Sequence, residues 1–182
     1  MIFGVQPELL TWVVARATGL TSYGALCIAI LSGIALRTSI LDFLATNRAL
    51  RSLHEFMTWI WIPLGAGHAI ALVIDRTARI EPLHLFVPFT TEYGRLAIGL
   101  GAISLDLVVL IVVSGWLRDR LDLRLWRVLH RLSYPAFVVL FLHAVLSGTD
   151  FDSPLVSAIS WSAGAGVALL AASRVVFGRL PS

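Results

Sequence analysis

The sequence predicts an all-α membrane protein, a polytopic bundle of about five transmembrane helices. Of its 182 residues, 58% are hydrophobic and 14% are charged, and the mean hydropathy is +0.86. Soluble domains average about 45–50% apolar and about 25% charged residues, so the composition excludes an ordinary soluble domain. Because the bilayer core offers backbone groups no hydrogen-bonding partner, apolar segments that cross it should be α-helices.

Five apolar segments are long enough to cross the bilayer, which takes about 20 helical residues. They are residues 11–36, 56–74, 96–117, 130–146 and 155–177. The fourth segment is the shortest, and we expect its helix to extend back through Leu125. The connections are short, so neighbouring helices should pack antiparallel, and residues 1–182 should form a single transmembrane domain.

Arginine, the only basic residue type, is distributed unevenly between the two sides of this bundle. The first loop, the third loop and the C-terminal tail carry Arg37, Arg48, Arg51, Arg118, Arg120, Arg124, Arg127, Arg131, Arg174 and Arg179. The other side carries Arg16, Arg76, Arg79 and Arg95. Cytoplasmic loops are rich in basic residues, so we expect the N-terminus outside and the C-terminus in the cytoplasm. No basic stripe with stacking aromatic residues lies outside the spans, so we expect no nucleic-acid partner.

Four histidines lie in the helices of the second and fourth spans at nearly equal spacing, with His54 just before the second apolar segment. His54 and His68 are 14 residues apart, and His130 and His143 are 13 apart. Ionisable side chains are costly inside a membrane, so two matched pairs indicate a bound ligand. Imidazole is a common axial ligand of haem iron, and the pattern therefore predicts two b-type haems, each held by two histidines.

Depth in the membrane pairs these histidines. The second and fourth spans run in the same direction, so His54 and His130 should lie near the cytoplasmic face and His68 and His143 nearer the outer face. At about 1.5 Å per residue, the two spacings correspond to roughly 21 and 20 Å. We therefore expect one haem between His54 and His130 and one between His68 and His143.

Rotation about the helix axis agrees less well with this pairing. At about 100° per residue, two side chains 14 residues apart point in directions that differ by roughly 40° around the helix axis. Two side chains 13 residues apart differ by roughly 140°. Pro135 lies between His130 and His143. It lacks a backbone donor and can kink or rewind that helix, and His130 can also lie on an irregular first turn.

Four arginines are candidate partners of the haem propionates, because buried carboxylates need cations. Arg51, Arg127 and Arg131 lie within about a turn of the inner histidines. Arg16 lies on the outer side of the first span, where it can contact an outer propionate or extend to the membrane interface.

Other polar residues allow several interpretations. Asp106 falls in the middle of the third span, where it can be a proton site or a protonated hydrogen-bonding residue between helices. His84 lies in the loop between Pro82 and Pro88, and we expect it to be solvated. Cys27 is the only cysteine, which excludes an intrachain disulfide and a thiolate metal site.

A haem-free channel or transporter subunit with structural histidines is an alternative function.

Two stretches of the sequence resemble the ferric reductase-like transmembrane domain. They are residues 53–75 (LHEFMTWIWIPLGAGHAIALVID) and 116–150 (WLRDRLDLRLWRVLHRLSYPAFVVLFLHAVLSGTD). The family has two histidine pairs at the spacings seen here for His54 with His68 and for His130 with His143. The segments LFVPF and RATGL are also similar to bacterial members, and the resemblance covers nearly the whole chain.

This resemblance implies ligation of haem b by the four histidines and electron passage from a cytoplasmic donor to an outer acceptor. It also implies a bacterial inner membrane location. Many members carry a cytoplasmic flavin and nicotinamide module, but no glycine-rich dinucleotide fingerprint occurs in this sequence. We therefore expect the membrane subunit of an oxidoreductase, with a separate flavoprotein or other one-electron donor at the arginine-rich face. A cytochrome b561-like, quinol-linked carrier is the alternative among redox proteins.

Overall fold

The computed structural model describes residues 7–36, 45–77 and 79–176. At residue 7 and at residues 173–176 it describes the backbone only. Helices make up most of this part of the chain, and no strand occurs in it. They are α1 (Pro7–Ala35), α2 (Asn47–Ile74), α3 (Arg95–Trp116), α4 (Leu123–Arg131), α5 (Ser133–Ser147) and α6 (Pro154–Val176). Short 3-10 turns lie in the connections at Pro82–Leu85, Arg118–Arg120 and Thr149–Asp152.

The helices confirm the prediction of an all-α, multi-pass membrane protein. Five helical stretches in the described ranges are long and apolar enough to span a membrane: Glu8–Ala35, Asn47–Ile74, Arg95–Trp116, Leu123–Ser147 and Pro154–Ala172. The fourth combines α4 and α5. Three of the residues used to predict spans and orientation, Arg37, Phe177 and Arg179, lie outside the described residues, and the Arg174 side chain is likewise not described.

The second helix begins well before the apolar segment that predicts it. α2 starts at Asn47, after Thr46, whose side chain accepts a hydrogen bond of 3.3 Å from the backbone N–H of Ala49. A helix start is fixed by such a cap rather than by hydropathy, so the polar residues 47–55 are helical too. As a result, His54 lies inside the regular part of α2 rather than at its entrance.

The fourth span is interrupted between its two histidines, as the position of Pro135 predicts. α4 ends at Arg131, and at Leu132 the backbone N–H bonds the carbonyl of Leu129, three residues back, at 3.1 Å. α5 restarts at Ser133, which puts Pro135 in its first turn, where no intrahelical N–H is needed. The rotation of an ideal helix therefore does not continue unchanged across Leu132.

The described residues form two compact units, one within residues 1–77 and 159–182 and the other within residues 78–158. In the first unit α1 packs against α2 along most of its length, and α6 touches α1 at a few residues. Tyr23 of α1 lies beside Ser160, and a Cβ built on Gly166 would lie 3.7 Å from Cδ2 of Leu31. Since later residues of α1 meet later residues of α6, these two helices run parallel, as a first and a fifth span should.

Three polar contacts fix the register of α1 against α2, each between a side chain and a backbone carbonyl: His54 with Ala29, Ser22 with Trp61, and His68 with Ala15. Residue numbers fall along α1 as they rise along α2, so the two helices are antiparallel. The contacts recur every seven residues on both helices. A seven-residue recurrence is typical of helices that cross at about 20°, where the same face stays in contact over many turns.

In the second unit α3 packs along α5, and the loop before α3 folds back on α3 itself. Phe89 has a left-handed backbone (φ 64°), and its ring lies against Gly99 so closely that no Cβ would fit there. The side chain of Arg95 donates through Nε to the carbonyl of Phe89 at 2.8 Å. The start of α3 is therefore tied to its own preceding loop.

The middle contact between α1 and α2 can be tested by mutation. Ser22 Oγ donates to the carbonyl of Trp61 at 2.9 Å, and interhelical bonds of this kind average about 0.6 kcal/mol in membranes. Ser22→Ala should lower the free energy of unfolding by about that amount, measured by unfolding in mixed detergent micelles. Thr21→Ala is the control, because Thr21 is exposed and its hydroxyl bonds only its own helix, at Ala17. A larger loss in the control would contradict the assigned packing.

Candidate functional site

His54 and His68 lie on the face of α2 that contacts α1, and both rings are half-buried. The Nδ1 atom of His54 lies 2.6 Å from the carbonyl oxygen of Ala29, and that of His68 lies 2.7 Å from the carbonyl oxygen of Ala15. A carbonyl can only accept, so Nδ1 must carry the hydrogen in both rings. In that tautomer the other ring nitrogen, Nε2, carries no hydrogen and has the lone pair through which imidazole binds a metal.

A glycine lies under each of these two rings. A Cβ built on Gly19 would lie 2.7 Å from Nδ1 of His68, and one built on Gly33 would lie 3.1 Å from Nδ1 of His54. Each glycine comes four residues after the alanine whose carbonyl accepts the hydrogen bond. The absence of a side chain at this position lets the ring reach the backbone of α1.

The same arrangement recurs in the second unit on different helices. His143 of α5 has Nδ1 at 2.8 Å from the carbonyl oxygen of Ala97 in α3, and a Cβ built on Gly101 would lie 2.8 Å from that ring. Ser147 donates its hydroxyl hydrogen to the carbonyl of His143, so its oxygen, 3.2 Å from Nδ1, can only accept from the ring. His143 therefore has the same tautomer as His54 and His68.

His130 has different surroundings. It lies in the last turn of α4, where its ring stacks on Trp126 with the ring centroids 5.2 Å apart and the planes at 18°. The guanidinium of Arg118 lies over the same Trp126 ring, 4.8 Å from its centroid. Gly115 of α3 has no atom within 4 Å of a built Cβ, so it does not receive an imidazole as Gly101 does. Stacking, rather than a glycine beneath the ring, orients His130.

The four predicted propionate partners differ in exposure. Arg51, Arg127 and Arg131 are exposed at the ends of α2 and α4 that carry His54 and His130. Arg16 is half-buried and follows Ala15, the residue whose carbonyl bonds His68; its guanidinium lies 4.3 Å from the centroid of the Trp12 ring.

The remaining polar residues lie apart from these histidines in the sequence. His84 belongs to the Pro82–Leu85 turn, where its Nδ1 accepts a hydrogen bond of 3.1 Å from the backbone N–H of Glu81. It is a capping residue of the loop. Asp106 is exposed at the middle of α3, and Cys27 is buried in α1. Within the described ranges no three His, Cys, Asp or Glu side chains come close enough together to hold a metal ion.

The glycines under the rings were not among the residues predicted from the sequence, although a signal for two of them exists. Gly19 and Gly33 are 14 residues apart, the same spacing as His54 and His68, and so are Ala15 and Ala29. Equal spacing on two antiparallel helices is what two identical contacts require. Gly101 and Gly115 of α3 are also 14 residues apart, but only Gly101 lies against a histidine ring, so the spacing alone does not identify which glycine makes the contact.

The fold and these residues define a multi-pass membrane protein with histidine side chains inside its spans. The family model described as "Ferric reductase like transmembrane component" matches residues 18–141, more than half of the chain. The chain belongs to this family, whose domains usually bind haem and often work with a separate flavoprotein. Membership indicates transmembrane electron transfer as the general function. No curated protein and no solved structure matches the chain.

The tautomers can be measured in the haem-free protein. His54, His68 and His143 donate from Nδ1. Nitrogen-15 NMR of histidine-labelled protein at alkaline pH should therefore show Nδ1 protonated and Nε2 unprotonated in all three rings. His84 is the matched control, since its Nδ1 accepts from a backbone N–H and its hydrogen must lie on Nε2. Assignment by single His→Ala variants decides the matter, and hydrogen on Nε2 of the three intramembrane rings would contradict the assigned geometry.

Proposed function

We propose that this chain carries electrons across the membrane through two b-type haems, from a donor at the cytoplasmic face to an acceptor at the outer face. The observation that carries the proposal is the close contact of Nδ1 with a backbone carbonyl in three intramembrane histidines. Each bonds a backbone carbonyl through Nδ1 and so offers Nε2 as a ligand. Metal-binding histidines in proteins are typically oriented by such a second hydrogen bond.

In this proposal His54 and His130 hold the inner haem, and His68 and His143 hold the outer haem. The nearly equal spacing along the two spans, 14 and 13 residues, supports the pairing. The donor set suits a porphyrin, whose iron needs only two further ligands, better than a metal ion that the protein must surround with three or four side chains. When bound, haem supplies the reversible one-electron chemistry of its iron.

The chain's own residues would orient the ligands and balance charge. The carbonyls of Ala15, Ala29 and Ala97 orient three imidazoles, and the apolar helices around them exclude water. We propose Arg51, Arg127 and Arg131 as partners of the inner propionates, since a carboxylate in a low dielectric needs a cation. Arg16, one residue beyond Ala15, is proposed for an outer propionate.

The electron donor is proposed to be a separate flavoprotein. The loop and helix start at residues 117–131 expose several arginines at one end of α3, with Arg118 and Arg120 in a 3-10 turn and Arg124 and Arg127 on α4. Such a surface favours an acidic partner, because complementary charge speeds encounter. With this face in the cytoplasm, the N-terminus lies outside, and we propose the bacterial inner membrane as the location.

Removal of single histidines tests the proposed ligands. Purified protein should contain two haems with a reduced α-band typical of b-type haem. His54→Ala, His68→Ala, His130→Ala and His143→Ala should each lose one of them, because low-spin iron needs both imidazoles. His84→Ala should retain both haems, since that ring only caps a loop turn. Haem content by the pyridine haemochrome assay is the measurement, and a colourless, folded wild-type protein would end the proposal.

Double variants test the pairing. His68→Ala combined with His143→Ala should lose no more haem than either change alone, whereas His54→Ala combined with His68→Ala should lose both. The opposite pattern would show that a haem is held by two histidines of the same helix.

Charge reversal tests the donor surface. Arg120→Glu with Arg124→Glu should slow haem reduction by a photoreduced flavodoxin, an acidic probe, several-fold at low salt and much less at high salt, because exposed charges are screened. Arg76→Glu, also exposed but after α2, is the control. Stopped-flow absorption gives the rates. A larger effect of the control would place the donor on the opposite face.

A further inference from the structure

A single backbone arrangement occurs four times in the described helices. In each case a side chain of one helix bonds a carbonyl of its neighbour, and a glycine follows that carbonyl four residues later. Three of the side chains are His54, His68 and His143. The fourth is Ser22, which bonds the carbonyl of Trp61, with Gly65 four residues on and its built Cβ 3.2 Å from Ser22 Oγ.

The recurrence has a simple physical basis. Inside a helix the carbonyl of residue i already accepts from the N–H of residue i+4, and its second lone pair points outward beside the side chain of that later residue. A Cβ there covers the lone pair. Glycine uncovers it, so a donor from the next helix can reach the backbone.

The histidine rings lie closer to their glycines than an added Cβ would permit. Built Cβ atoms would approach the ring to 2.7 Å at Gly19, 2.8 Å at Gly101 and 3.1 Å at Gly33. An alanine at Gly19 or Gly101 must therefore move the ring or the helix, and one at Gly33 requires a displacement of only a few tenths of an ångström.

We propose that Gly19, Gly33 and Gly101 are positioning residues that set the reduction potentials of the two haems. This inference rests on the proposed function. The hydrogen bond from Nδ1 to a carbonyl makes Nε2 a stronger electron donor, which stabilises oxidised iron and lowers the potential. A methyl group under the ring lengthens that bond and shifts the potential of the haem concerned to a more positive value.

The distribution of the glycines makes the two haems unequal. Both proposed outer ligands, His68 and His143, have a glycine beneath the ring, whereas among the proposed inner ligands a described glycine lies against His54 alone. The ring of His130 stacks on Trp126. Gly19→Ala and Gly101→Ala should therefore act on the same haem although they lie on different helices, and Gly33→Ala should act on the other.

The experiment is a redox titration of purified holoprotein, with low-temperature EPR of the oxidised form to read ligand orientation. Gly19→Ala and Gly101→Ala should each raise one midpoint potential and shift the g-values of the same haem. Gly33→Ala should shift the other haem by a smaller amount. The controls are Gly24→Ala in α1 and Gly115→Ala in α3, where a built Cβ meets no atom within 4 Å and neither haem should change.

Several outcomes would overturn the inference. If the glycine variants keep both haems with the potentials and g-values of the controls, the glycines do not position the ligands. Shifts of both haems by each variant would equally contradict it. Should Gly19→Ala or Gly101→Ala lose helical content by circular dichroism, the milder Gly33→Ala decides: a shift confined to one haem supports the inference, and no shift overturns it. A wild-type protein without haem would instead defeat the proposed function itself.

Discussion

The hydrogen bond from a histidine Nδ1 to a backbone carbonyl of the adjacent helix is the constraint on which the rest of this structure depends. It occurs at His54, His68 and His143, in two separate helix pairs. Each bond fixes the tautomer, orients the ring and joins two spans. A polar side chain that is costly in a bilayer thereby becomes part of the contact between helices.

This constraint dictates sequence on the partner helix as well. The bond requires an uncovered carbonyl, and in α1 two such positions must stand as far apart as the two histidines of α2. Alanine and glycine therefore recur at Ala15 with Gly19 and at Ala29 with Gly33, and the Ser22 contact lies midway between them. Helices in lipid associate through close packing and interhelical bonds, and small residues in register supply both.

Hydropathy was enough to predict the helical spans, and the prolines on either side of His84 placed that residue in a loop. Pro135 allowed a break in the fourth span but did not fix its position at Leu132. Features set by local capping or by contact between helices were less accessible. The start of α2 depends on the Thr46 cap, which polar residues conceal in a hydropathy profile. The role of Gly19, Gly33 and Gly101 depends on which helix faces each ring, since a glycine in a span otherwise indicates close packing alone. The stacking of His130 on Trp126 follows only once α4 is seen to end at Arg131.

Electron transfer across a sealed membrane tests the central claim most directly. Holoprotein reconstituted in liposomes that contain ferricyanide would be mixed with a membrane-impermeant reductant outside, and ferricyanide absorption followed with time. We expect its reduction at a rate proportional to the amount of protein, and a rate equal to that of empty liposomes for His68→Ala. A protein that holds both haems yet leaves the enclosed ferricyanide oxidised would contradict the account.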